Sequence, residues 1–194
     1  MSDELSPAQR RMLEAYLRHT AAEFETRRPE DAMATMVASP TVALLPTLVG
    51  GTGREEVAEF YAHHFIFSMP PDMELLPVSR IVGADHVVEE SVLRFTHSVE
   101  LDWMLPGVPP TGRRVEVAVC SVVKMEGEKV AHEHIYWDQA SVLVQLGLLD
   151  AERLPVVGAE GARKILDHSL PVNQLMQRAR RRGGDPPARR GDAR

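Results

Sequence analysis

Two periods run along the chain. Between residues 7 and 26 the apolar positions Leu13, Tyr16, Leu17, Ala21 and Phe24 recur at three- and four-residue steps. That is the spacing of one helix face, and Ser6-Pro7 is a start signal for it. Arg27-Arg28-Pro29 ends this helix. Pro29 opens a second, shorter one with Ala32, Met33, Met36 and Val37 as its apolar stripe. Residues 41–46 (TVALLP) predict a short strand. GGTG at 50–53 predicts a turn, and a third helix follows it carrying Val57, Phe60, Tyr61 and His64.

From residue 73 onward the period becomes two. MELLPVSRIVG, DHVVEESVLRFTHSVELDW, RRVEVAVCSVVKMEG and EKVAHEHIYWDQ predict four strands, with Asp85, Gly107, Gly112 and Gly127 in or near the turns. MLPGVPPTG is a longer loop whose prolines cannot sit in a central ladder. Residues 138–149 form a short closing helix, and residues 154–167 read as a turn plus helix. Helices first, then a run of antiparallel strands, is an α+β arrangement. The predicted fold is a cone-shaped curved antiparallel sheet wrapped over N-terminal helices and enclosing a cavity, the natural place for a small molecule.

The length of 194 residues suits one such domain over residues 1–149, with a helical extension over 150–177 packed on it. The tail from 178 to 194 is Arg, Gly and Pro with almost no apolar residue, and is expected to be disordered. A net charge of -6 argues against a nucleic-acid partner. No apolar run approaches the ~20 residues needed to span a bilayer, and the first residues lack an apolar signal core, so no membrane partner and a cytoplasmic location are expected. The single cysteine, Cys120, allows no internal disulfide and no zinc-finger spacing, and reads as a buried strand thiol. Only 5% of residues are aromatic, so an aromatic cluster marks where packing or ligand contact concentrates.

One stretch concentrates chemistry: VAHEHIYWDQ, residues 130–139. On a strand His132, His134, Tyr136 and Asp138 share one face, and Ala131, Glu133, Ile135 and Trp137 share the other. Alternation alone does not settle which face points inward. The expectation is the first, because it places a carboxylate at the strand's end where the barrel opens. His132 and His134 could supply two imidazoles to a metal, with His97 or Glu90 as a third ligand. With only two ligands at ligand spacing, no metal and no cofactor are expected. An acid–base site needs less: Asp138 in an apolar cavity, oriented by Tyr136, His134 and His97. Asp138 is also a favoured N-cap for the helix that follows. His97 shares a strand face with Phe95, Leu93 and Glu89, and His64 on the third helix can line the same cavity; His64, His132 and Phe95 are the candidate substrate contacts.

FTHSVELDWMLPGVPPTGRRVEV (95–117) and EGEKVAHEHIYWDQASVLVQLGL (126–148) resemble the SnoaL-like proteins, the polyketide-cyclase and ester-cyclase branch of the nuclear-transport-factor-2-like superfamily. The matching pieces are Thr96-His97, the loop from Gly107 to Arg113, Trp137-Asp138 and Gln145-Leu146-Gly147, with GREEVAEFY (53–61) upstream. The resemblance covers residues 8–149. It implies a cone-shaped α+β barrel, commonly a homodimer, with an apolar cavity and no obligatory cofactor. It implies cyclisation, isomerisation, dehydration or hydration of a small apolar oxygenated molecule, with Asp138 at the position of an acid–base residue. Val122 and Lys124 stand where the polyketide cyclases carry polar Gln and His, and no Arg–Asp pair of the epoxide-hydrolase kind can be placed. Two further readings stay open: a non-catalytic binding protein with the same cavity, and a metal-dependent variant using His132 and His134. The homodimer is expected through the outer sheet face, with Val117, Ile135 and Trp137 in the interface.

Overall fold

The computed structural model describes residues 5–183. Helix α1 (Pro7–Phe24) starts where the sequence says it should. The Ser6 hydroxyl accepts from the Gln9 N–H at 3.2 Å, and the Gln9 side chain accepts from the Ser6 N–H at 2.9 Å, a reciprocal cap with Pro7 in the first turn. Its buried stripe is Met12, Ala15, Tyr16, His19, Ala22 and Glu23. Leu17, placed on the apolar face by the sequence reading, is 40% exposed, while the polar His19 and Glu23 point inward.

Helix α2 (Pro29–Ala34) is shorter than its expected stripe. Thr35 caps it, and Met36, expected on the helix, instead begins strand β1 (Met36–Leu44). Strand β2 (Val49–Thr52) pairs antiparallel with β1, where GGTG predicted a plain turn. Its glycines serve a close approach: a Cβ on Gly51 would lie 2.6 Å from the backbone of Glu56 in helix α3 (Arg54–Glu59). After α3 the chain widens into a π-helical turn, Phe60–Phe65. Strands β3 (Glu74–Val82), β4 (His86–Thr96), β5 (Arg114–Glu126) and β6 (Lys129–Trp137) follow, then α4 (Gln139–Gln145), α5 (Glu160–Leu166) and α6 (Gln174–Gly183). Helix α6 covers the start of the segment expected to be disordered; residues 184–194 lie outside the described residues.

The six strands form one curved sheet in the order β2-β1-β6-β5-β4-β3. Neighbours are antiparallel except β1 with β6. The sheet bends but stays open. Its inner face carries Val115, Val117, Val119, Val123 and Met125 of β5, all buried against the helices. Ala118, Cys120 and Val122 point outward and are half-buried. The expectation that Val117 and Trp137 form a dimer face is therefore corrected, since both belong to the core. Part of the outer face is covered by the chain itself. Helix α5 packs on β5, with Ala162 buried and Arg163 paired to Glu116 at 3.0 Å.

Two of the familiar motifs prove to be joints. The Gln145 side chain accepts from the Glu116 N–H at 2.8 Å and donates to the Glu116 carbonyl at 3.0 Å, tying α4 to β5. Gly147 (φ +73°) closes α4, and a Cβ there would strike the guanidinium of Arg113. The QLG and PPTGR segments meet at this point. Among the described residues no helix is long and apolar enough to cross a membrane.

Candidate active site

Between the sheet's inner face, α1 and the π-helical turn lies a cavity of about 70 Å3. Both tryptophans of the chain, Trp103 and Trp137, line it, with Tyr16, Tyr61 and three of the five phenylalanines. The sparse aromatics are thus concentrated around one space. Phe65 meets Trp103 edge-on at 5.2 Å between ring centroids, and Trp103 meets Trp137 edge-on at 6.0 Å.

Into this apolar wall the fold sets a buried polar cluster. His19 and Glu23, one turn apart on α1, meet Glu133 of β6 and Tyr61 of the π-helical turn. His19 Nε2 lies 3.4 Å from Glu23 Oε1, 3.3 Å from Glu133 Oε1 and 3.3 Å from the Tyr61 hydroxyl. The Tyr61 hydroxyl donates to Glu133 Oε2 at 3.0 Å. Glu23, Glu133 and Tyr61 border the cavity, and His19 stands behind them, fully buried.

The proton positions follow from donor counting. Thr35 has one hydroxyl proton and gives it to the Ala32 carbonyl at 2.5 Å, because a carbonyl can only accept. His19 Nδ1, 2.6 Å from the same hydroxyl, must therefore be the donor. That fixes Nδ1–H and leaves Nε2 as the titrating atom, aimed at the two carboxylates. Burial disfavours the His19 cation, but Glu133 and Glu23 outweigh it and hold the imidazolium well above its ordinary range. Burial also pushes both carboxyls upward. For Glu133 the charge and hydrogen bond of His19, with the Tyr61 hydroxyl, win and bring it below the usual range. For Glu23 burial wins over the pull of His19, helped by the charge of Glu133. Tyr61 is pushed well up by burial and by both carboxylates. The result is an ion pair, His19 with Glu133, beside a second carboxyl that keeps its proton more readily than usual. Environments that drive two like groups apart mark acid–base sites.

Thr35→Val is expected to retain the fold but lower stability by about 1–3 kcal/mol, since a buried Nδ1–H loses its acceptor. Urea unfolding checks this, and Thr35→Ser should restore most of the loss.

His19, Glu23 and Glu133 are, among the described residues, the one group of three whose donor atoms lie within 4.8 Å of one another in a geometry fit for a metal ion. Here they satisfy one another and Tyr61 by hydrogen bonds, as a proton site does. The histidine pair weighed as ligands, His132 and His134, lies elsewhere. Their rings pack at 4.8 Å on the outer sheet face, with His86 6.0 Å from His132.

The strand face expected to point inward is the reverse of the one that does. Glu133, Ile135 and Trp137 line the cavity, while His132, His134 and Tyr136 are directed outward and Tyr136 is 44% exposed. The cause is continuity of the inner surface. Trp137 pairs with Val119, Ile135 with Ser121 and Glu133 with Val123, whereas His132 pairs with Lys124 and Tyr136 with Cys120. Asp138 is exposed and accepts from the Ser141 N–H at 3.2 Å as the N-cap of α4. Asp138→Ala is expected to cost about 1 kcal/mol of stability, read from thermal unfolding.

His97 is fully buried but pins a loop. Its Nδ1 accepts from the Thr111 N–H at 3.3 Å, its carbonyl accepts from the Gly112 N–H, and burial lowers its pKa. Phe95 packs in the core and His64 sits half in solvent, 3.3 Å from Asp102. Neither these three nor Asp138 lines the cavity. Of the residues on the His97 face, Glu89 and Leu93 do line the cavity. His19, Glu23 and Glu133 were missed as a site, although His19 and Glu23 fall in helical step with Met12, Ala15 and Tyr16.

Solved structures share this architecture. A protein assigned as a SnoaL-like polyketide cyclase from Jannaschia sp. CCS1 superposes with a TM-score of 0.63 at 20% identity, covering 77% of this chain and 100% of that one. A phenazine biosynthesis-related protein from Pseudomonas aeruginosa gives 0.58 at 14% identity, covering 74% and 89%. AclR from Streptomyces galilaeus, assigned as a hydroxylase, gives 0.57 at 20%, covering 74% and 88%. At such identities the likeness speaks for the fold alone. No curated protein sequence matches the chain at a significant level. The SnoaL-like domain model, however, matches residues 10–133, a span that opens in α1 and ends on Glu133, so that His19, Glu23, Tyr61 and Glu133 all fall inside it. The open six-stranded sheet, the helices on its inner face and this match together make the chain a member of the SnoaL-like family.

Proposed function

We propose that the chain is a small-molecule enzyme that moves a proton inside this cavity, using Glu23 as the acid–base group. The substrate class is an apolar, oxygenated and largely flat molecule, and the reaction is a cyclisation, isomerisation, dehydration or hydration. The observation that carries the reading is the buried His19–Glu23–Glu133–Tyr61 cluster opening onto an aromatic-lined space.

The division of labour follows from the electrostatics. Glu133 carries the negative charge that keeps His19 protonated, and Tyr61 holds that charge in place through its hydrogen bond. Glu23 borders the cavity with a pKa raised by burial, which makes its carboxylate a stronger base and keeps its acid form available as a donor. Deprotonated, it takes a proton from a carbon made acidic by a neighbouring oxygen function. Protonated, it returns that proton at another atom of the same substrate. The imidazolium of His19 behind it stabilises the carboxylate once the proton has been handed on. The aromatic walls exclude water and hold a flat substrate by its faces.

A generic carbon acid tests this without the natural substrate. The ring opening of 5-nitrobenzisoxazole requires one proton to leave carbon and is followed by the colour of its phenolate product. Saturable acceleration of that reaction by the purified chain supports the reading; a rate no higher than that of free carboxylate in buffer overturns it.

A further inference from the structure

The cavity has a second polar patch on β4 and β5, and part of its hydrogen-bonding capacity is unused. Glu89 and Ser91 alternate onto the inner face of β4, and Ser121 of β5 lies directly across from Glu89. Glu89 and Ser91 are each 2% exposed. Both guanidinium contacts from Arg80 go to Glu89 Oε2, and Oε1 has no hydrogen-bond partner among the described residues. The Ser91 hydroxyl has none either. Ser121 meets only the Tyr16 hydroxyl, and loosely, at 3.5 Å. Buried polar groups are nearly always paired, so unpaired oxygens facing a cavity mark the place of a ligand or of water.

We infer that Glu89, Ser91 and Ser121 form a subsite for a hydroxyl group of the substrate, in the same cavity that Glu23 borders. The chemistry selects a hydroxyl over an ether or a carbonyl. A carboxylate oxygen can only accept, so its partner must bring a proton. The two serine hydroxyls can then donate to the same ligand oxygen. Arg80 holds the Glu89 carboxylate in place, and its guanidinium lies over the Tyr16 ring at 5.5 Å. The inference rests on the proposed function and deepens it. The substrate would carry a hydroxyl bound by β4 and β5 and, elsewhere in the same molecule, the carbon that exchanges a proton with Glu23.

The test is a binding measurement, independent of turnover. Equilibrium dialysis of the purified chain compares 2-naphthol, 2-methoxynaphthalene and 2-methylnaphthalene, which share a flat apolar body. The wild-type chain is expected to bind 2-naphthol about tenfold more tightly than either analogue, the usual worth of one well-made buried hydrogen bond. In Ser91→Ala/Ser121→Ala the preference over the methyl compound should fall to about threefold or less while affinity for 2-methylnaphthalene holds or rises. Equal binding of all three by the wild type, or an unchanged preference in the double variant, overturns the subsite. Because no proton transfer is measured, loss of the preference leaves the role of Glu23 standing, and an inactive chain that still selects 2-naphthol leaves the subsite standing.

Discussion

Replacing His19 with Leu is expected to lower the free energy of unfolding by ~3–5 kcal/mol at neutral pH, the range for stripping one partner from a buried ion pair. Leucine fills a similar volume, so the loss comes from charge rather than a hole. Without the imidazolium, Glu23 and Glu133 face each other in an apolar wall with only Tyr61 to share. Both carboxyls then titrate above their ordinary value of 4.5 in the folded chain. A raised folded pKa means that stability is fully present below the unfolded pKa and is lost as pH rises through the folded one. The wild type behaves differently at its pair. Glu133, held below its ordinary range, contributes stability that is lost only as pH falls through its folded value, and His19 contributes until pH rises through its own. The gap between wild type and variant should therefore be wide at about pH 7.5 and narrower at about pH 4, where the variant's carboxyls are protonated and no longer penalised. Urea unfolding at the two pH values measures it. A gap of the same size at both would show that His19 matters for packing alone.

Glu23→Gln is expected to keep the fold and cut turnover of the carbon-acid probe by about a hundredfold or more, the usual cost of losing a positioned proton-transfer group. Glutamine keeps the shape and the hydrogen bond to His19 but cannot take a proton. The variant also removes one carboxyl whose folded pKa is raised, so it should be no less stable than wild type in the neutral range, where that carboxyl is forced to ionise. Loss of turnover with intact or improved stability separates a chemical role from a structural one.

The frame of this site was legible in the sequence, and its chemistry was not. Period two gave β3 to β6, and the capping signal at Ser6-Pro7 gave the start of α1. Strand β2 was hidden because Gly50 and Gly51 read as a turn, though both pair with β1, and Gly51 lets α3 pack close. Tyr61 reads as one more position of the third helix, and nothing in FYAHHF announces the π-helical turn that carries it to the cluster. The segment HEHIYWD stands out for its histidines, yet the side chain it sends into the buried cluster is the glutamate between them. Alternation offers two faces, and burying Glu133 costs free energy unless a cation meets it. That cation, His19, lies more than a hundred residues away and falls outside the apolar stripe of Leu13, Tyr16, Leu17, Ala21 and Phe24 that the sequence displays. A buried polar cluster is specified by its partners together, so no single member gives it away. The helical step from Met12 through Tyr16 to His19 and Glu23 was the one local clue.

The most direct test of the account is the pH–rate profile of 5-nitrobenzisoxazole ring opening, measured for wild type, Glu23→Gln and Asp138→Asn. The account predicts a wild-type rate that rises along a limb lying above the ordinary carboxylate value of 4.5, because Glu23 must lose its proton to act as base. Asp138→Asn should retain that profile, and Glu23→Gln should lose the limb and the activity together. A profile unchanged in Glu23→Gln and abolished in Asp138→Asn would contradict it and return the site to the end of β6.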